Sequence, residues 1–193
     1  MAVNLSKGGR VNLSKGNSGL NKVSVGLGWD SRVTDGADFD LDASVFIPDE
    51  GGKARSDADF VFYNNMTALE GAIQHMGDNR TGEGEGDDEQ IKLDLSAIVS
   101  KDPAINKLAF VVTIHEAEQR GQNFGQVENA FIRVVDDGTN EELVRYDLTE
   151  DYSTETAMIF GELYLKDGEW RFGAVGAGFE GGIQSVVTKY GLS

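Results

Sequence analysis

The chain has 193 residues, 39% of them hydrophobic and 26% charged, with a formal net charge of −16 and no cysteine. That length and composition suit one globular domain, residues 1–193, with room for a full core. The charge opposes nucleic-acid binding, and the missing thiols exclude disulfides, thiolate metal sites, iron–sulfur clusters and cysteine nucleophiles. No apolar run approaches the roughly 20 residues of a membrane-spanning helix. The first residues, MAVNLSKGGRVNLSKG, lack the apolar centre of a secretory signal, so a cytoplasmic protein without direct membrane insertion is expected.

The chain opens on a repeat, VNLSKGGR from Val3 and VNLSKGNS from Val11. Two copies are too few for a solenoid, and the pattern predicts two short strands paired with each other. KVSVGLGW alternates as a strand. FDLDASVFI places Phe39, Leu41, Ala43 and Val45 on one face, with Asp38, Asp40, Asp42 and Ser44 on the other. ADFVFYNN, QIKLDL, KLAFVVTIH and AFIRVV are rich in β-branched and aromatic residues and read as further strands. A helix is expected from Leu95 to Ile105, capped by Ser96. Asp136 to Asn140 marks one hairpin turn, and Asp167-Gly168 marks a tight one. A last helix falls in GGIQSVVTKYGL. Many short strands with glycine-rich turns predict a mainly β fold, a β-sandwich with one to three short helices.

Two acidic windows stand out. Residues 77–89, GDNRTGEGEGDDE, hold six acids against Arg80, and residues 30–42, DSRVTDGADFDLD, hold five against Arg32. Two carboxylates ~5 Å apart repel by ~1 kcal/mol in water and ~3 kcal/mol at intermediate dielectric. Such a crowd must stay apart as a solvated loop or be held together by a multivalent cation. Calcium takes six to eight hard oxygen ligands in flexible geometry, and glycines let a loop turn its own carbonyls inward. An EF-hand is excluded: aligned from Asp78 to Glu89, the loop has Arg80 at position 3, Gly82 at position 5 and Glu83 where glycine is required.

Other motifs carry less. GAGFEG has the spacing of a dinucleotide fingerprint (Gly176, Gly178, Gly181), but too few residues follow for a βαβ unit, so a glycine-rich bend is expected. His115 resembles the start of a zinc-protease motif, yet Gln119 stands at the second histidine position. His75 stands alone before the acidic loop, and both histidines read as structural or exposed.

The segments VGLGWD, DFDLDAS, FYNN, GDNRTGEGEGDDE, VVTIH, FGQV, RYDLTED and FGELY, in this order, closely resemble the bacterial TerD family of tellurite-resistance and stress-response proteins. The resemblance spans nearly the whole chain. It implies a cytoplasmic β-sandwich with calcium-binding loops at one end and two Ca2+ ions close together. By position it implies ligands among Asp38, Asp40, Asp78, Asn79, Glu83, Glu85, Asp88 and Glu89, with Asp30, Asp35 and Asp87 as further candidates. It also implies partners among other tellurite-resistance proteins, including a smaller acidic one, and an integral membrane protein that would bring the chain to the inner face of the membrane. It supplies no catalytic reaction. The alternative reading is a metal-dependent hydrolase of a phosphorylated small molecule, which would need open metal coordination and a positioned base such as His115.

Overall fold

The computed structural model describes residues 2–17, 19–30, 36–82, 86–148 and 152–193. Among them are thirteen strands: β1 (Val3–Leu5), β2 (Arg10–Asn12), β3 (Lys22–Gly28), β4 (Leu41–Phe46), β5 (Phe60–Val61), β6 (Thr67–Ala68), β7 (Ile73–His75), β8 (Glu89–Asp94), β9 (Lys107–Ile114), β10 (Phe131–Asp136), β11 (Glu141–Asp147), β12 (Ala157–Lys166) and β13 (Glu169–Phe179). Three α-helices accompany them, α1 (Leu95–Lys101), α2 (Ala117–Arg120) and α3 (Gly182–Lys189). The strands form two sheets, ordered β1-β11-β10-β3-β8-β7-β6 and β2-β13-β12-β9-β4-β5. The fold is the expected mainly β, two-sheet sandwich.

Period-two alternation explains how the sheets stack. In β4, Leu41, Ala43 and Val45 join the core between the sheets, and in β9 Leu108, Phe110, Val112 and Ile114 do the same. Ile91 and Leu93 of β8 and Ile132 and Val134 of β10 meet them from the first sheet. The second sheet is apolar on its outer face too. Phe46, Ala109, Val111 and Ile159 form a separate cluster there with Val186 of α3 and Tyr190.

The repeat is not a hairpin. β1 lies parallel to β11 in the first sheet, and β2 antiparallel to β13 in the second. Gly8, at φ 82°, and Gly9 carry the chain across, fixed by Gly8 N–H to the Ala174 carbonyl (2.7 Å) and Ala174 N–H to the Gly9 carbonyl (2.9 Å). Each copy thus supplies an edge strand to a different sheet, where the backbone partners are better than a two-strand ribbon offers. The first helix also departs from expectation. Asp94, not Ser96, caps it by accepting from Ala97 N–H at 2.9 Å, and it stops at Lys101. Pro103 forces the residue before it out of helical geometry, and Asp102 is extended at φ −145°. In ADFVFYNN the strand covers only Phe60–Val61. Both expected hairpins are present, and Asp167 and Gly168 hold φ of 56° and 75°, the left-handed pair of a type I′ turn. GAGFEG continues β13 through a bulge opposite Ile159–Gly161 into the start of α3. At Gly176 a Cβ would sit 2.5 Å from the Tyr146 hydroxyl, so close backbone approach, not phosphate binding, accounts for that glycine.

One corner joins the sheets through side chains. β5 pairs only with Val45 and Phe46, which leaves the edge of β4 open at Ala43. Glu89, in the first sheet, accepts from Ala43 N–H at 2.6 Å. His75, also in the first sheet, accepts from Gly77 N–H on Nδ1 (3.2 Å), which leaves Nε2–H to donate to the Ala43 carbonyl (3.0 Å). The second oxygen of Glu89 accepts from Asn79 N–H at 3.2 Å. Removing the carboxylate would strand buried donors, each at about 1–3 kcal/mol. Glu89→Ala should therefore lower unfolding free energy in urea by about 3 kcal/mol, and Glu89→Gln, which keeps one acceptor, by less than half as much. Equal losses in the two variants would refute this account.

Candidate metal centre

Asp42 precedes Ala43 in β4 and Asp40 immediately precedes the strand, two residues earlier and on the same face, while Asp78 lies between Gly77 and Asn79, whose amides are held by His75 and Glu89. The bonds that sew the corner therefore also bring these three aspartates together. A carboxylate oxygen of each lies within 4.8 Å of the others. Asp40 is 4% exposed, and its Oδ1 is buried without a hydrogen-bond partner. Its Oδ2 is 3.8 Å from Nε of the exposed Arg80, too far for a strong pair. A buried orphan acceptor beside two further acids is a costly arrangement for a protein with nothing bound.

The titration behaviour follows. Burial, then Glu89, Asp40 and Asp78, push the Asp42 carboxyl up to about 8. Burial and then Asp78 raise Asp40. Tyr63 is raised by burial and by Asp42, Asp78 and Asp40, which places its ring beside the same group. His115 Nδ1 lies 3.7 Å from Asp42, and the His115 N–H holds the Asp40 carbonyl at 2.8 Å. The donor set is all oxygen, partly buried and short of positive charge. It fits a hard divalent cation held by Asp40, Asp42 and Asp78.

Nearby acids are engaged otherwise. Asp88 accepts from Trp29 N–H (3.0 Å) and from Asn79 Nδ2 (3.0 Å), and Asn79 Oδ1 accepts from Thr81 and Gly82 N–H at 3.2 and 3.3 Å. These bonds shape the loop and seat Gly82 on Trp29, where a Cβ would be 2.3 Å from Nε1. Glu89 spends both oxygens on backbone amides. Asp87 turns away to Nε of Arg133 at 2.7 Å. Asp30 accepts from Asn129 at 2.6 Å, and Asp38 is exposed, its carbonyl held by Gln122. Asp35, Glu83 and Glu85 lie outside the described residues.

The chain matches the TerD domain over residues 1–190. It belongs to the TerD family. It is 58% identical over 193 residues to Tellurium resistance protein TerD of Serratia marcescens, covering 100% of this chain and 99% of that one. It is 56% identical over 193 residues to General stress protein 16U of Bacillus subtilis (strain 168), covering 100% and 98%. The crystal structure of a homologue of telluride resistance protein (TerD) from Streptomyces coelicolor A3(2) shares the fold, with a TM-score of 0.69 at 24% identity over 86% of this chain and 95% of that one.

Of the ligand residues that the TerD resemblance implied, the structure gathers Asp40 and Asp78, one from each acidic window. It adds Asp42, which the sequence reading had placed on the polar face of the strand without naming it a ligand. The signal was present in the alternation Asp40, Asp42, since residues two apart on a strand share a face.

The raised Asp42 carboxyl gives a pH dependence. In chelator the native chain keeps that proton to about pH 8, whereas the unfolded chain releases it near 3.8. The native state binds more protons between these limits, so stability should fall as pH rises from about 4 to about 8. Asp42→Asn should flatten this fall in urea titrations run at several pH values, and an unchanged slope would refute the assignment.

Proposed function

We propose that the protein is a calcium-binding module of the tellurite and general stress response, named for its relatives' activities, with the ion held by Asp40, Asp42 and Asp78. The carrying observation is the buried, unpartnered Oδ1 of Asp40 within a cluster whose oxygens lie within 4.8 Å. A divalent cation would supply the attraction that the raised carboxyls lack, and would displace the Asp42 proton. The high identity to proteins named for tellurium resistance and general stress supports the cellular setting.

Calcium is favoured over magnesium because magnesium demands near-ideal octahedral geometry and sheds water reluctantly, whereas this cluster rests on a glycine-bearing loop. The TerD resemblance adds a second ion, and the same resemblance supports docking on other tellurite-resistance proteins, one of them in the membrane. Among the described residues, no helix is long and apolar enough to cross a membrane. We further propose binding without catalysis, supported by an acid cluster whose neighbours are engaged in holding backbone amides. Turnover of p-nitrophenyl phosphate with calcium, magnesium or manganese, lost in His115→Gln, would favour the hydrolase instead.

Calorimetric titration of metal-free protein tests the reading. Calcium should bind at least tenfold more tightly than magnesium, ~1.4 kcal/mol. Asp40→Asn and Asp78→Asn should each weaken calcium binding strongly, and the double variant should lose less than the sum, because both act through one ion. Glu141→Ala, in the β10–β11 hairpin, is the control and should bind as the parent does. Saturating calcium at a hundredfold its dissociation constant adds ~2.7 kcal/mol, so the melting temperature should rise by several degrees. Equal magnesium affinity, additive losses or an unmoved melting curve would each overturn the site.

A further inference from the structure

The outer face of the second sheet changes character along its length. From Asp40 through the outward positions of β4 the residues run Asp40, Asp42, Ser44, Phe46, from acidic to apolar. α3 and the residue that follows it cover only part of that face, through Val186 and Tyr190. Beside it lie two adjoining hollows. One, of 420 Å³, is walled by Asp42, Glu116 and Glu118 at one part and by Phe62, Tyr63 and Ile183 at another. The other, of 580 Å³, is mainly apolar, with Phe60, Phe62, Ile183, Val187 and Leu192 in its wall. Phe60, Phe62, Ile183 and Gln184 belong to both, so the two are one groove.

The groove has a rigid apolar floor. Tyr190, Phe46, Phe60 and Phe62 stack in sequence with centroids 4.3, 4.2 and 4.4 Å apart, and Tyr63 meets Phe62 edge-on at 5.2 Å. This ladder begins at the buried Tyr190 and Phe46 and ends at Tyr63, 37% exposed, which lines the same groove as Ile183, 39% exposed. Stacked rings lose little freedom on binding, so a surface of this kind is prepared to cover apolar side chains. Its acidic end selects charge, and aromatic faces beside it favour a cation as well.

We propose that this groove seats a short segment of a partner protein that carries a lysine or arginine next to bulky apolar side chains. The basic group would lie at Glu118 and at Glu116, where it would take the place of Arg120, now 3.1 Å from Glu116, and the apolar groups over Phe60, Phe62 and Ile183. Charge complementarity selects this occupant. A second copy of the chain would bring another −16, and an anionic membrane surface would be repelled in the same way.

The test uses the whole chain in chelator, so its outcome is independent of the calcium reading. A random peptide library displayed on phage is panned against it, and a synthetic peptide of the resulting consensus is titrated. The expected consensus pairs Lys or Arg with Leu, Ile or Phe nearby. Binding should shift backbone amide resonances at residues 60–63 and 182–187 of the parent chain. Affinity should fall at least tenfold in Ile183→Glu and several-fold in Glu116→Gln/Glu118→Gln, all at exposed positions, with thermal melts unchanged. No consensus, an acidic consensus, shifts elsewhere, or binding indifferent to Ile183→Glu would overturn the proposal. So would a dimer in sedimentation that Ile183→Glu dissolves, since the occupant would then be a second copy.

Discussion

The molecule turns on the peptide of Ala43. A strand that lacks a neighbour over part of its edge leaves N–H and C=O groups without partners, and at a buried corner that is expensive. Here two side chains of the opposite sheet stand in for the missing strand. Glu89 takes the N–H and His75 takes the carbonyl. The sheets are thus joined by directional bonds at this corner, in addition to the non-directional packing of Leu41, Val45, Ile91 and their neighbours. The same two side chains also hold the amides of Gly77 and Asn79. One small network therefore sets sheet stacking, loop conformation and the spacing of three aspartates.

That arrangement separates acids that build from acids that remain available. Glu89, Asp88 and Asp87 are satisfied by amides, by Asn79 or by Arg133. Asp40, Asp42 and Asp78 are left close together with too few donors. Proteins usually relieve such repulsion by spreading the side chains into water. Here the corner restricts it, because Asp42 is fixed by strand pairing with β9 and Asp40 by the His115 N–H, while the exposed Asp78 is held near them only through its bonded neighbours on each side. Protons on Asp42 and Asp40 are the relief available to the metal-free chain, which is the physical meaning of their raised carboxyls.

Sequence reading recovered what local pattern determines. Alternation in β3 and β4, the β-branched and aromatic content of β9 and β10, the Asp167-Gly168 turn and the last helix all rest on neighbours within a few residues. It missed what depends on distant partners. The VNLSKG copies look alike and adjacent, yet Leu5 pairs with Tyr146 and Val11 with Phe172, and nothing local announces that. The candidate centre was legible as two acidic windows, but not residue by residue. Asp87, Asp88 and Glu89 are consecutive, yet one faces Arg133, one Trp29 and one Ala43, and composition cannot say which carboxylate will find an amide. Asp42 stood outside the expected set because the motif drew attention to Asp38 and Asp40, although it shares their face.

The split opening repeat has a consequence for how the chain is made. Val3 waits for Val144 and Val11 for Phe172, so these residues have no place to settle until chain far downstream of them has been made. Closing loops of that span is entropically slow, and the contacts that reward it come late. Until then both sheets carry an open edge at β11 and β13, where another chain could add a strand. A repeat that reads as one small hairpin thus acts as a pair of edge seals, one to each sheet.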